Sequence, residues 1–171
     1  MEKLLLLDFD GVLNALTPLP SSRDTSLWVD LEEIYVPVPV DDTGRTLNQV
    51  VRFSPTVVAE VNSLIPHIET RWFSSWFSDT ESLPTAMGVA ALPYEGDFSL
   101  DEGISEEWWK LTWLKNNHLD REIIWVDDTV NEAGVQDWLV SQNGRVRTLY
   151  TNSRTGLNAG NLQKLRKMVT K

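Results

Sequence analysis

Cysteine is absent from the 171 residues, which excludes disulfides and thiolate chemistry. Histidine is nearly absent too, and His67 and His118 alone offer no zinc site of the usual nitrogen and sulfur kind. No run of about 18 apolar residues exists, so no membrane span is expected. The chain enters an apolar strand too early for a secretory leader, which makes a cytoplasmic location the expectation. Positive charge is scarce: 15 Lys and Arg stand against 25 Asp and Glu, a net charge of −10. That balance argues against a broad duplex-binding surface, because phosphate backbones are held by neutralising cations. Arg145, Arg147, Arg154, Lys164, Arg166, Lys167 and Lys171 gather toward the C-terminus, most simply as a solvated helix face, with the grip of a polynucleotide end as the other reading. Internal repeats and low-complexity segments are also missing.

The chain is 42% hydrophobic and 23% charged, ordinary proportions for one globular domain spanning residues 1–171. Its most informative stretch is Leu4-Leu5-Leu6-Leu7-Asp8-Phe9-Asp10-Gly11-Val12-Leu13-Asn14. Four consecutive leucines predict a strand buried on both faces, as in the middle of a parallel sheet covered by helices. Two carboxylates then fall at its carboxyl end, the edge where open α/β sheets bind ligands, and Gly11 allows a tight turn there. A second apolar strand, Ile123-Ile124-Trp125-Val126, likewise ends in Asp127-Asp128. Two acidic strand ends in one small domain repel unless a cation lies between them.

Asp8-Phe9-Asp10-Gly11-Val12-Leu13 resembles the first motif of the haloacid dehalogenase (HAD) superfamily of phosphotransferases, and Asp127-Asp128 resembles its fourth. The resemblance implies that Asp8 is a nucleophile forming an aspartyl-phosphate and that Asp10 is the general acid/base. It further implies one Mg²⁺ held by Asp8, the backbone carbonyl of Asp10 and Asp127, with Asp128 in the same shell or orienting a metal-bound water. The roles make physical sense: a carboxylate is ionised at neutral pH and needs no activating base, whereas a leaving alkoxide needs a proton. All-oxygen ligation is what Mg²⁺ prefers.

Between these motifs, Trp72-Phe73-Ser74-Ser75-Trp76 is similar to a Trp-x-Thr-x-Trp stretch of small superfamily members, which places Ser74 on the phosphate, with Ser75 as its neighbouring rival. Ser105 to Leu114 predicts a helix with Ser105 as N-cap and acids in its first turn. Lys110 shares a face with Trp113 and Leu114, so its ammonium is expected to turn inward toward charge, with Lys115 on another face as the alternative. The family's lysine often precedes the fourth-motif strand, as Lys110 does.

The expected order is strand 4–8, insert, helix 55–65, strand 68–74, helix near 79–87, helix 105–118, strand 123–127, helix 129–140, strand 145–149 and helix 158–169. Such alternation predicts an α/β doubly wound parallel sheet, and the resemblance implies that it is the HAD-like Rossmannoid arrangement. Ser54-Pro55 reads as a helix start and Gly144 as a turn. Residues 15–53 do not belong to a minimal core; Tyr35 to Val40 and Arg45 to Phe53 predict a β-hairpin flap after the first strand, of the size of a small cap, with Pro37 and Pro39 confining one arm to an edge. Asp41-Asp42-Thr43-Gly44 lacks the later ligands of a calcium loop and reads as a turn. Of eight tryptophans, Trp72, Trp76, Trp108, Trp109 and Trp113 flank the motifs; most read as core or rim packing, with stacking on a nucleobase the lesser reading and Trp76 the candidate for a rim contact.

The resemblance therefore implies a Mg²⁺-dependent phosphatase acting on phosphate monoesters of small molecules or nucleotides. A nucleotide or polynucleotide-end phosphatase and a non-catalytic phosphate- or metal-binding module are the alternatives. Dehalogenase chemistry is disfavoured, because that branch lacks the second aspartate, here Asp10.

Overall fold

The computed structural model describes residues 2–16, 30–39, 44–76, 82–96, 106–117 and 120–170. The four leucines form the heart of the expected strand, β1 (Lys3–Leu7), and each is fully buried. Burying a leucine contributes about 1.5–3 kcal/mol, which explains why this strand takes the centre of the sheet. It pairs in parallel with β4 (Glu69–Trp72) on one side and β5 (Glu122–Asp127) on the other, and β6 (Val146–Tyr150) extends the sheet beyond β5. Registers Leu7↔Trp72 and Leu7↔Val126 bring the carboxyl ends of β4, β1 and β5 level.

Alternation along β1 divides the core. Leu5 and Leu7 pack with Val57, Val58 and Val61 of helix α1 (Pro55–Leu64) and Leu162, Leu165 and Val169 of α5 (Ala159–Thr170). Leu4 and Leu6 pack on the opposite face with Trp109, Leu111 and Leu114 of α3 (Glu106–Asn116) and Val135 of α4 (Ala133–Ser141). Helices thus cover both faces of a parallel sheet, as the continuous apolar strands require. Between β4 and α3 lies the short helix α2 (Ser82–Ala86); residues 79–81 of the expected helix, like Ser105 and His118, lie outside the described residues.

Local signals hold where they rest on short-range chemistry. Ser54 caps α1 by accepting from Val57 N at 3.2 Å, with Pro55 in the first turn. Asp30 reinforces this end, accepting from Ser54 Oγ at 2.6 Å and from Thr56 N at 2.8 Å, and these donors hold its carboxyl below the usual range. Two expectations are corrected. Strand β4 stops at Trp72 rather than 74, leaving Ser74 in a bend. Helix α4 starts at Ala133 rather than 129, because Thr129 turns back to bond Asp127 and Glu132 N donates to Thr129 O at 3.1 Å.

The insert contains the expected hairpin, slightly longer than read from sequence: β2 (Glu32–Pro39) pairs antiparallel with β3 (Thr46–Phe53). Val36, Val38, Val51 and Phe53 point into the core while Tyr35, Pro37 and Pro39 are exposed. Among the described residues, both prolines lie on an arm that pairs only with β3, leaving its other edge able to take an N–H-less residue without loss of a ladder bond. The turn residues Asp41, Asp42 and Thr43 lie outside the described residues. The hairpin is tied to the first motif, with Ala15 N donating to Arg52 O at 2.8 Å and Arg52 N to Asn14 Oδ1 at 2.9 Å.

The expected basic face at the C-terminus is partly paired: Arg147 bonds Glu122 and Met168 O, and Arg166 bonds Glu60. The loop after β6 returns to the first motif, where Leu157 N donates to Val12 O at 2.8 Å. Gly156, at φ +66°, allows this approach, since a Cβ there would lie 2.4 Å from Val12 O. Gly156→Ala is therefore expected to destabilise the fold by more than about 1 kcal/mol, read as a lower urea midpoint; a change below about 0.5 kcal/mol would contradict the close approach.

Candidate active site

Parallel pairing delivers the motif carboxylates to one edge. Asp8 follows β1 directly, with its N–H donating to Val126 O at 3.0 Å, and Phe9 N donates to Asp8 Oδ1 at 2.8 Å. Asp127 ends β5 and is fully buried. Its Oδ1 accepts from Thr129 N at 2.7 Å and Thr129 Oγ1 at 2.6 Å, and its Oδ2 accepts from Trp125 Nε1 at 3.1 Å. Lys110 reaches across from α3, its Nζ 2.8 Å from Asp8 Oδ2 and 2.6 Å from Asp127 Oδ2. Asp128 is half-buried beside the Gly11 turn, so close that a Cβ on Gly11 would lie 2.3 Å from Asp128 Oδ2. Thr151 Oγ1 donates to Gly11 O at 2.7 Å and fixes the turn from the end of β6.

Among the described residues, Asp8, Asp127 and Asp128 place carboxylate oxygens within 4.8 Å of one another, a group able to hold a metal ion. Burial pushes Asp8 up to about 6; the charge of Asp127 adds to the rise, while Lys110 and a hydrogen bond from Ser74 oppose it. Asp128 is also pushed up to about 6, by burial and then by the charges of Asp127 and Asp10. Burial disfavours the ammonium of Lys110, but Asp8 and Asp127 outweigh it and hold the group above its ordinary range. With all groups ionised, three carboxylates and one ammonium leave two negative charges, which a divalent cation would match. The donors are all hard oxygens, so the residues present fit such an ion.

The sequence-nominated residues converge unevenly. Asp8, Lys110, Asp127 and Asp128 form the cluster, and Ser74 is buried near Asp8. Ser75 and Lys115 are exposed. Asp10 is half-buried, and its carboxylate accepts from Asn14 Nδ2 at 2.6 Å and Trp76 Nε1 at 2.6 Å. The expected rim tryptophan is thus bonded to a motif aspartate. Trp72 and Trp109 are committed to the core, and Trp113 Nε1 donates to Glu95 at 3.0 Å, which leaves little support for base stacking by these rings. The side chain of Trp108 lies outside the described residues.

Sequence reasoning missed Asn14, Trp125 and Thr129 as polar partners. Thr129, two residues after Asp127, carried a signal in the Asx-turn pattern; Trp125 and Asn14 carried none that spacing alone reveals.

The site sits at the carboxyl edge of a parallel α/β sheet and combines a metal-capable acid cluster with a buried lysine. Comparison with known proteins found no matching family model and no matching curated protein.

An acid raised in the folded state stabilises the fold below its unfolded pKa and loses that contribution as pH rises through the folded one. Asp128→Asn should therefore gain stability relative to wild type in metal-free buffer as pH climbs from about 4 to about 6, compared by urea unfolding. A difference constant across that window would mean that the carboxylate is not desolvated as found.

Proposed function

We propose that this chain is a Mg²⁺-dependent phosphohydrolase of the HAD type, cleaving phosphate monoesters through an aspartyl-phosphate on Asp8. The observation that carries the reading is the Lys110 ammonium held between Asp8 and Asp127, 2.8 and 2.6 Å away, at the ends of two adjacent parallel strands. A buried cation touching a nucleophile candidate is suited to receive the phosphoryl oxygens that arrive there.

In the proposed reaction Asp8 attacks phosphorus in line, and the bond to the ester oxygen breaks as Asp10 gives that oxygen a proton. Asp10 then takes a proton from water, whose oxygen attacks phosphorus, breaks the bond to Asp8, releases phosphate and regenerates both carboxyl groups. Lys110 and Ser74 orient the phosphoryl group and offset its charge, the positioning work that dominates phosphoryl transfer. Asp8, Asp127 and Asp128 would hold Mg²⁺, together with the Asp10 carbonyl that the resemblance implies, and the ion would supply the remaining positive charge. The net charge of −10 favours small phosphorylated substrates over duplex nucleic acid. No helix among the described residues is long and apolar enough to cross a membrane.

The test is phosphate release from a panel of small esters, nucleotides and 3′- or 5′-phosphorylated oligonucleotides, with Mg²⁺ or chelator. Release should require Mg²⁺, and Asp8→Asn should lower it at least about a thousandfold with the circular dichroism spectrum unchanged, the scale seen when a covalent nucleophile is removed. Turnover retained in Asp8→Asn would sink the nucleophile assignment. Preference for oligonucleotide ends would select the polynucleotide branch, and Mg²⁺ binding without turnover across the panel would select the binding module.

A further inference from the structure

Asp10 stands apart from the three clustered acids, and each of its oxygens is taken by a side chain from a different part of the chain. Trp76 Nε1 donates to Oδ2 at 2.6 Å, and Asn14 Nδ2 donates to Oδ1 at 2.6 Å. Both donors are themselves held. The Trp76 ring packs edge-on against Phe9 at 6.4 Å and against the apolar core, and its backbone N–H reaches Ser74 Oγ at 3.5 Å. Asn14 is buried, and its amide oxygen accepts from Arg52 N at 2.9 Å on β3. Arg52 in turn bonds Glu33 across the hairpin at 2.7 Å.

We infer that Trp76 and Asn14 are positioning residues that hold Asp10 in the orientation needed for proton transfer, with Asn14 linking that orientation to the base of the hairpin. This inference rests on the reading of Asp10 as general acid/base. Each carboxylate oxygen has two lone-pair positions. One N–H on each oxygen therefore fixes the plane of the group and still leaves a position for the proton that passes to the leaving oxygen. Without these donors the carboxylate is free to rotate about its side-chain torsions, and the geometry on which proton transfer depends is lost. The indole also performs two tasks that a phenyl ring cannot combine, since phenyl keeps the edge-on packing and lacks the N–H.

This difference sets the test. Wild type, Trp76→Phe and Asp10→Asn are compared by kcat/KM on an alkyl phosphate, whose leaving oxygen needs a proton, and on 4-nitrophenyl phosphate, whose leaving oxygen needs little help. Trp76→Phe should lose about tenfold or more on the alkyl ester, within the 10²–10⁴-fold that a general acid supplies, and distinctly less on the nitrophenyl ester. Asp10→Asn should show the same pattern more strongly. Equal losses on both esters, or no loss on the alkyl ester, would overturn the positioning role while leaving the phosphohydrolase reading in place. An inactive wild type would remove that reading and the positioning role with it. Independent of turnover, the Trp76 indole N–H resonance, assigned by its absence in Trp76→Phe, should move upfield in Asp10→Ala; an unmoved resonance also overturns the inference.

Discussion

The contact on which the site depends is the Lys110 ammonium buried between Asp8 and Asp127. Removing an ammonium and two carboxylates from water costs several kcal/mol per ion, and only close, complete pairing recovers it. The fold supplies that pairing by laying α3 over the face of β1 and β5, with Leu111 and Leu114 seated in the apolar layer beside Leu4 and Leu6. The rings of Phe73 and Trp109 lie 6.0 and 5.9 Å from the ammonium and keep water away from it. Phe73 also meets Trp109 edge-on at 5.0 Å and Trp125 at 6.0 Å, so the wall around the charge belongs to the core itself. An arrangement in which carboxylates still outnumber the cation is poorly explained by stability alone, and this motivates the functional reading.

What was legible in sequence follows from how local each determinant is. Four leucines before Asp8 needed no partner to announce a central strand, and Ser54-Pro55 announced α1 through a bond spanning three residues. The inward turn of Lys110 was readable because helix periodicity ties its direction to that of Leu114. Past the end of a strand, that logic fails. Ser74 and Ser75 follow β4 in a bend, where period-two alternation no longer operates, and burial near Asp8, just past the end of a neighbouring strand, separates Ser74 from the exposed Ser75. The indole of Trp76 is a clearer case: its partner Asp10 is 66 positions away, and no spacing rule connects them. The start of α4 was misplaced because Thr129 satisfies Asp127 rather than opening a helix.

The hairpin shows how an insert can be joined to a core without disturbing it. Its apolar side adds Val36, Val38, Val51 and Phe53 to the layer that already holds α1 and α5. Polar bonds add to this apolar contact, one backbone bond from Ala15 N to Arg52 O and one from Arg52 N to the Asn14 amide oxygen. Asn14 therefore serves two elements with one side chain, its oxygen toward β3 and its nitrogen toward Asp10.

The parallel register of β1 has a consequence for synthesis. Leu4 to Leu7 emerge before both of their strand partners, and one of these, Ile123 to Val126, lies more than a hundred residues later. At about 5–20 residues per second, translation leaves that edge of β1 unpaired for roughly 6–25 seconds. An apolar strand with an open edge is a template for association between nascent chains. The topology that gathers three acids around one lysine thus also sets how long the growing polypeptide must be shielded before its most apolar segment is enclosed.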